Sequence, residues 1–314
     1  MFADLKRQYR QSLKSMDTEE GIDLAFYRPI GFAWAYLFRK LGVHPNTVTI
    51  ASIIIGIAAG VCFYYNSLAI NIAGMLLLVW ANSYDSADGQ LARMTGQYSP
   101  IGRILDGLSG DLWFITIYTA ICLREDTFSP FFASHPWLIW VIAAITGACH
   151  AKQAAMADYY RQFHLFFVNG SAGSELDRAD ELKRRVAQLS WRNDFWHKIT
   201  QTFYTQYTVN QEAMTPAMQA LRHEIAAKWP DGKLPDAFKA HFRALSLPLM
   251  KYTNILSFNW RTIALFISLF IGQPWLYFMF ELIVLNFLLV YMMRRHERLC
   301  HTLTTEIKEG RYND

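Results

Sequence analysis

Cysteine is scarce in this chain, and its spacing fits neither a metal site nor a disulfide framework. The four cysteines, among 314 residues, are Cys62, Cys122, Cys149 and Cys300. Structural zinc sites need cysteine or histidine ligands in close pairs, and disulfide frameworks need several cysteines in a short chain. Neither is predicted, and we expect these thiols to act as small apolar packing groups.

Charge is missing from long stretches of the sequence. Residues 48–65 and 67–84 are each eighteen residues without Asp, Glu, Lys or Arg. A helix of about this length spans the hydrocarbon core of a bilayer. Four further apolar runs complete the pattern, in a chain that is 53% hydrophobic. We therefore predict an all-α polytopic membrane protein with six transmembrane helices, at 48–65, 67–84, 112–123, 136–151, 252–271 and 274–293.

Positive charge is almost absent from the loops on one side of these spans. Loops 66–68, 124–135 and 272–273 contain one basic residue, Arg124, of thirty in the chain. The positive-inside rule places both termini and segment 157–250 in the cytoplasm. The compact plan is typical of a bacterial inner-membrane protein. No basic stripe interleaved with aromatics stands out, so the sequence predicts anionic lipid surfaces rather than nucleic acid as neighbours.

The spans divide the chain into five segments. The N-terminal arm contains an aromatic run from Pro29 to Leu41 that ends in basic residues, which is typical of a helix lying in the membrane interface. A polar insertion carries signals for three helices: one that a Ser174-x-x-Asp177 capping box begins, one from Pro216 to Pro230, and one over 236–247. The predicted segments are the arm 1–46, transmembrane helices 1–4 at 47–156, the helical cytoplasmic insertion 157–250, transmembrane helices 5–6 at 251–294 and a cytoplasmic tail 295–314.

Four aspartates lie within twenty-seven residues, next to these apolar runs. Carboxylates beside hydrocarbon are energetically expensive and mark an ion or substrate site by default. Residues three, four and seven apart share one face of a helix, so the first two aspartates form a stripe with a glycine and an alanine at the end of the second span. The aspartates are Asp85, Asp88, Asp106 and Asp111, and the small residues are Gly89 and Ala92.

These residue types suit phosphoryl transfer. The Asp85 and Asp88 carboxylates supply the oxygen ligands that Mg²⁺ prefers, and Asp106 completes the set if the chain folds back. Gly89 and Ala92 let a substrate approach the backbone, and Arg93 offers a fork of donors suited to phosphate. A divalent metal, carboxylates and an arginine are the usual equipment for moving a phosphoryl group.

The same stretch resembles the signature of the CDP-alcohol phosphotransferase family, D-x2-D-G-x2-A-R-x8-G-x3-D-x3-D. The first seven fixed positions match, including the eight-residue gap, and the wider likeness covers residues 28–160 and, loosely, the last two spans. The insertion lies outside it. The matching residues are Asp85, Asp88, Gly89, Ala92, Arg93, Gly102 and Asp106.

The resemblance implies an enzyme of phospholipid biosynthesis. A CDP-alcohol, such as CDP-diacylglycerol, would bind with its diphosphate on two Mg²⁺ or Mn²⁺ ions. An acceptor hydroxyl would attack and CMP would leave. Asp85, Asp88 and Asp106 would then be metal ligands, with Gly89, Ala92 and Arg93 at the nucleotide. Family members also tend to form homodimers.

The last aspartate of the signature does not match. The family places it four residues after the third, where this chain has Gly110, and Asp111 follows one position later. Five residues rotate a side chain by about 140° on a regular helix, against about 40° for four. We hypothesise that a π-bulge returns Asp111 to the site, as metal ligand and general base. Loss of the base is the competing interpretation.

Other charged residues are candidates for binding the acceptor. Lys152 and Arg161 follow the fourth span and could hold an acidic acceptor such as a sugar phosphate, although anchoring at the interface explains them equally well. Arg261 and Glu281 fall inside the last two spans, where charges pair or face a cavity. A buried ion pair and a phosphate-binding Arg261 both remain open.

Alternative functions stay open from the sequence alone. One is a choline- or ethanolamine-type transferase with a soluble CDP donor and a lipid acceptor. Another is a catalytically silent relative whose insertion recruits partners. A cation transporter lined by aspartates would need charges at mid-membrane in several spans, whereas these aspartates lie at one edge.

Overall fold

The protein is helical throughout the described part of the chain, as predicted. The computed structural model describes residues 2–13, 15–170, 176–192 and 194–312, and these ranges contain no β-strand. Short π-helical segments occur at Asp23–Tyr27 and Phe280–Leu285. The helices are α1 Phe2–Ser12, α2 Arg28–Lys40, α3 Pro45–Cys62, α4 Leu68–Thr95, α5 Pro100–Phe128, α6 Pro130–Ser134, α7 Pro136–Asn169, α8 Ala179–Gln188, α9 Phe195–Ala213, α10 Pro216–Lys228, α11 Asp236–Ser246, α12 Met250–Ile255, α13 Phe258–Phe270, α14 Trp275–Met279 and α15 Asn286–Lys308.

The helices group into two compact units. The first contains residues 1–148 and 258–282, and the second contains residues 149–257 and 283–314. The aspartate motif lies in the first unit. The insertion helices α8 to α11 lie in the second.

Five stretches of helix are long and apolar enough to cross a membrane. These stretches include most of the predicted spans, and several helices continue beyond the apolar residues of the span. At 1.5 Å per residue, the 28 residues of α4 extend about 42 Å, which exceeds a hydrocarbon core of about 30 Å. The motif aspartates Asp85 and Asp88 lie in its C-terminal half. The five stretches are Pro45–Cys62, Leu68–Thr95, Ile104–Phe128, Pro136–Asn169 and Trp275–Lys308.

The predicted fifth span, 252–271, is not one continuous helix. It is divided between α12 and α13 at Leu256 and Ser257, where the Ser257 N–H bonds the Asn254 carbonyl at 3.0 Å and closes a tighter turn. The 13 residues of α13 extend only about 20 Å. Residues 252–271 contain neither Pro nor Gly, so the sequence gives no helix-stop signal at this break.

Small residues set the packing of the first unit. An added Cβ at Gly56 of α3 would lie 2.2 Å from the Trp113 ring of α5, and one at Gly60 would lie 2.8 Å from Thr116. Trp113 is fully buried by this approach. Glycine thus lets α3 and α5 pack closely, as small residues do in membrane helix pairs. The close packing holds the N-terminal half of α5 in place.

The insertion has one helix more than the sequence predicts. α8, α10 and α11 coincide with the three expected helices, although the proposed cap Ser174 lies outside the described residues. The additional helix is α9, rich in Thr, Gln and Tyr. Its sequence has neither a clear apolar period nor a charged face, which are the signals on which a helix prediction depends.

Candidate active site

Two helix ends bring the aspartate motif together. α4 ends at Gly96, whose φ of 69° reverses the chain in a conformation that glycine adopts without strain. α5 begins at Pro100, where the Ser99 hydroxyl caps it by accepting the Gly102 N–H at 2.9 Å. The short connection returns the second turn of α5 towards the last turns of α4. Asp106 therefore comes back to Asp85 and Asp88.

Three carboxylates converge at this junction. One oxygen from each of Asp85, Asp88 and Asp106 lies within 4.8 Å of the others. Asp88 is buried, Asp85 is half-buried and Asp106 is exposed. Two unit charges 4.8 Å apart repel by about 3.5 kcal/mol at an effective dielectric constant of about 20. Such an arrangement is unfavourable unless a cation or a proton neutralises it.

The donor set fits a divalent cation. All three groups offer carboxylate oxygen, the ligand type of Mg²⁺ and Mn²⁺. Oδ2 of Asp88 is buried and has no hydrogen-bond partner among the described residues. A buried charged oxygen without a partner is costly, and a bound cation would satisfy it. Asp85, Asp88 and Asp106 could therefore hold a metal ion.

Ser109 orients the first carboxylate. Its hydroxyl oxygen lies 2.7 Å from Oδ1 of Asp85 and 2.8 Å from the Asp106 carbonyl oxygen. The Ser109 side chain thus links α5 to Asp85 of α4. Ser109 was not predicted, because one serine in a helix carries no signal until its neighbour on another helix is known.

Asn46 explains why the motif needs a glycine at position 102. The Asn46 amide lies 3.1–3.2 Å from the Ser99 hydroxyl and covers Gly102. An added Cβ at Gly102 would lie 2.5 Å from Oδ1 of Asn46. The start of α3 therefore supports the start of α5, and a side chain at position 102 would displace the Asn46 amide from its contact with Ser99.

Arg93 lies over the small residues of its own helix. An added Cβ at Gly89 would lie 3.4 Å from the guanidinium of Arg93, so the missing side chain makes room for the arginine. Nε of Arg93 donates to the Ser12 carbonyl oxygen at 2.6 Å. The end of α1 therefore contacts the motif, which the sequence did not indicate. Ala92 is half-buried on α4 beside Arg93.

A second arginine lies beside the aspartates. Arg28, the first residue of α2, donates from Nη1 to the Ser86 hydroxyl at 3.3 Å and pairs through Nε with Glu19 at 2.9 Å. Its carbonyl oxygen accepts from the Gln90 amide at 3.1 Å. Arg28 was also missed, since 58 residues separate it from Ser86 and no local pattern links them.

Asp111 does not join the three carboxylates. α5 is a regular α-helix from Pro100 to Phe128, so the predicted π-bulge is wrong. Asp111 is exposed and lies outside the group that Asp106 completes. The reason is rotation: with 3.6 residues per turn, the fifth residue after Asp106 points about 140° away from it. The geometry therefore does not support Asp111 as a metal ligand.

Arg261 is held in a buried ion pair. Its Nη1 lies 2.7 Å from Oε2 of Glu281, and the two side chains are 1% and 0% exposed. Glu281 also accepts hydrogen bonds from the Tyr118 and Tyr277 hydroxyls. A charge buried and paired in this way is not available to an acceptor, so the structure favours the ion-pair interpretation.

The two remaining acceptor candidates lie in the second unit. Lys152 is exposed on α7, and Arg161 is half-buried on the same helix. Nη2 of Arg161 donates to the Ser257 hydroxyl at 2.9 Å. Their proposed contact with an acceptor stays a prediction.

Comparisons with known proteins agree with this geometry. The family model described as CDP-alcohol phosphatidyltransferase matches residues 42–162, from the turn before α3 into α7. The archaetidylinositol phosphate synthase of Aeropyrum pernix is 33% identical over 90 residues, which are 27% of this chain and 45% of that protein. The chain thus matches less than half the length of this relative. No solved structure matches. Over residues 42–162, which are less than half of the chain, this protein is therefore similar to the CDP-alcohol phosphatidyltransferase family.

Proposed function

We propose that this protein is a membrane phosphotransferase of phospholipid biosynthesis. It moves a phosphatidyl group, or another substituted phosphoryl group, from a CDP-alcohol to an acceptor hydroxyl and releases CMP. CDP-diacylglycerol is the proposed donor. The observation that carries the proposal is the convergence of Asp85, Asp88 and Asp106 within 4.8 Å, inside the matched domain.

The reaction exchanges one P–O bond for another. The acceptor oxygen forms a bond to the β-phosphorus, and the bond from that phosphorus to the bridging oxygen breaks. CMP leaves with the bridging oxygen and its electron pair, and the hydroxyl proton passes to a carboxylate. Catalysis of this kind consists mostly of positioning and charge stabilisation.

Asp85, Asp88 and Asp106 would hold the metal, for which we propose two Mg²⁺ or Mn²⁺ ions. When bound, the metal supplies positive charge against the diphosphate. Gly89 and Ala92 leave space beside the backbone for the nucleotide. Arg93 directs its guanidinium to the same face and binds phosphate oxygen.

Asp106 is the proposed proton acceptor. It is the exposed member of the three, so an incoming hydroxyl can reach it from solvent. Asp111 is the alternative, as the sequence first suggested. Its carboxylate would have to act from a different face of α5. Asp111 can therefore be replaced to test the base without removing a proposed metal ligand.

The acceptor is proposed to be a phosphorylated polar alcohol. The relative from Aeropyrum pernix is named for making archaetidylinositol phosphate. Lys152 and Arg161 would bind an acidic acceptor of this class. A choline- or ethanolamine-type donor remains the second candidate, because the matched domain does not specify which partner is the lipid.

The proposed topology follows from the distribution of basic residues. The active site, both termini and the insertion 157–250 lie in the cytoplasm, with the chain in a bacterial inner membrane. The proposed segments are those given above, ending in the tail 295–314. A homodimer is the proposed assembly.

CMP release tests the proposal. The purified chain, with Mg²⁺ and CDP-diacylglycerol, is offered a panel of polyol phosphates and other alcohols, and CDP-choline and CDP-ethanolamine with diacylglycerol form the second arm. We expect acceptor-dependent CMP release that EDTA abolishes and that is lost in Asp85→Asn. No release with any donor, and no difference for Asp85→Asn, would support the silent relative.

Asp111→Asn tests the identity of the base in the same assay. If Asp106 accepts the proton, Asp111→Asn keeps kcat within about tenfold of the parent. A general base contributes about 10²–10⁴-fold to the rate, so a loss of that size would instead assign the role to Asp111. A separate measurement of the thermal stability of Asp111→Asn with and without Mg²⁺ shows whether Asp85, Asp88 and Asp106 still bind metal in this variant.

A further inference from the structure

An exposed aromatic stripe runs along α9 in the insertion. Trp196 is 75% exposed, Phe203 is 74% exposed and Tyr207 is 38% exposed. Residues seven and eleven apart lie within about 20° of one line on a helix. The three rings therefore lie on one side of α9. The opposite side is buried at Thr205 and Thr208.

The surface around the stripe carries no charge over most of the helix. Residues 199–211 contain no Asp, Glu, Lys or Arg. At the N-terminal end, Trp191 and Phe195 add further aromatic surface, with exposures of 57% and 47%. Large exposed apolar patches of this kind mark interaction sites rather than ordinary solvent-facing surface.

Basic residues lie beside the aromatic surface. α8 packs against α9 in the opposite direction, since the Ala179 N–H at its start donates to Glu212 near the end of α9 at 3.1 Å. Lys198 lies with Nζ 4.9 Å from the Trp191 ring. From the start of α8 to Lys198, residues 179–198 hold five Lys or Arg against three Asp or Glu, a net charge of +2. The exposed basic side chains on and after α8 are Lys183, Arg184, Arg185 and Arg192.

We propose that this surface is a membrane-contact site whose occupant is the headgroup region of an anionic bilayer. The rings of the stripe enter the interface, and the basic residues of α8 bind lipid phosphates. The chain is a polytopic membrane protein, so a bilayer is always within its reach. Trp and Tyr are the residues enriched at membrane–water interfaces, and Lys and Arg are attracted to anionic leaflets.

Charge complementarity selects lipid over protein as the occupant. A protein partner of matching charge would present an ordered acidic surface, and its core would cover both the rings and their Thr and Gln neighbours. An anionic bilayer needs only a basic rim around an aromatic face, which is what α8 and α9 offer. The site lies outside the matched residues 42–162 and is independent of the proposed reaction.

Lipid quenching tests the site in the whole protein. The full chain, with its four cysteines replaced by alanine, carries a single cysteine at Phe203→Cys or Trp196→Cys with an environment-sensitive fluorophore. Nanodiscs contain phosphatidylcholine alone or mixed with phosphatidylglycerol, with or without a spin-labelled acyl chain. Thr202→Cys is the matched control, since Thr202 is also exposed on α9 but points about 100° away from Phe203.

Quenching of the label at residue 203 should be roughly twofold or more that at residue 202, and stronger with phosphatidylglycerol. The triple change of Lys183, Arg184 and Arg185 to Gln should remove the phosphatidylglycerol effect. Equal quenching at residues 203 and 202 overturns the proposal. So does shielding of residue 203 without lipid quenching, whether the cover is a second copy or another protein.

A photoactivatable phospholipid gives a second measurement on the unmodified protein. Crosslinks should map by mass spectrometry to the peptide that carries Trp196 and Phe203. Crosslinks confined to the apolar spans, with none in α8 or α9, would contradict the proposal even if the cysteine variants fail to fold.

Discussion

Replacing Asp88 by asparagine should change the stability of the protein in opposite directions with and without metal. Asp88 is 4% exposed, and its carboxylate lies within 4.8 Å of those of Asp85 and Asp106. Without a cation, Asp88→Asn removes repulsion between negative charges. With a cation, it removes a ligand. The sign of the effect therefore depends on Mg²⁺.

The magnitude follows from the distance. Two ionised carboxylates 4.8 Å apart repel by about 3.5 kcal/mol at an effective dielectric constant of about 20, and this figure is an upper limit because a close carboxylate pair without metal can take up a proton instead. The exposed Asp106 adds less, because solvent screens it. Metal binding stabilises the parent by about 2.7 kcal/mol at a concentration of 100 Kd. Each effect corresponds to several degrees in the unfolding temperature.

Thermal unfolding in detergent measures both effects. In EDTA, Asp88→Asn should unfold at a higher temperature than the parent. Addition of Mg²⁺ should raise the midpoint of the parent and leave that of Asp88→Asn nearly unchanged. Asp111→Asn is the control: Asp111 is exposed and outside the carboxylate group, so the variant should respond to Mg²⁺ as the parent does.

Two results would refute this reasoning. If Asp88→Asn gains nothing in EDTA and still responds fully to Mg²⁺, the three carboxylates neither repel one another nor share an ion. The second contradicting result is an Asp111→Asn variant that loses the response to Mg²⁺ while Asp88→Asn keeps it. The metal would then lie elsewhere on α5.

Two further predictions concern the support of the site. Gly56→Ala should destabilise the protein by about 1–3 kcal/mol, because the new methyl group would meet the Trp113 ring at 2.2 Å. Gly107→Ala is the control: an added methyl group there has nothing within 4 Å, so this variant should not lower the unfolding temperature. Equal effects of the two changes would contradict the packing described. Arg261→Met should cost about 3–5 kcal/mol by leaving the Glu281 carboxylate buried without its cation, and Arg261→Met combined with Glu281→Leu should recover part of that loss. An unchanged unfolding temperature in the single variant would show that Arg261 does not pair with Glu281.

Local sequence signals predicted the helices that are marked by a long apolar run or by a residue typical of a helix start. Apolar runs of eighteen residues and Pro at helix starts located α3, α4 and α7, since backbone groups in a bilayer must bond within their own helix. The break between α12 and α13 was missed, because no Pro or Gly marks it in the sequence. α9 was missed for the opposite reason, as its polar residues show no apolar period.

The candidate site was also predicted only in part from the sequence. The spacing of Asp85, Asp88 and Asp106 predicted that they would act together, and the structure brings them within 4.8 Å. Arg28 and Ser109 could not be predicted, because their roles depend on neighbours 58 and 24 residues away in the chain. A contact between distant segments leaves no local pattern in one sequence.

The sequence by itself determined that this is a helical membrane protein with a phosphotransferase motif, because hydropathy and helical spacing act over short distances along the chain. Only the tertiary structure decided which charges meet. It kept Asp111 out of the carboxylate group, since an unbroken helix fixes its rotation from Asp106. It also buried Arg261 against Glu281, because a charge inside a helical bundle is stable only beside its counter-charge.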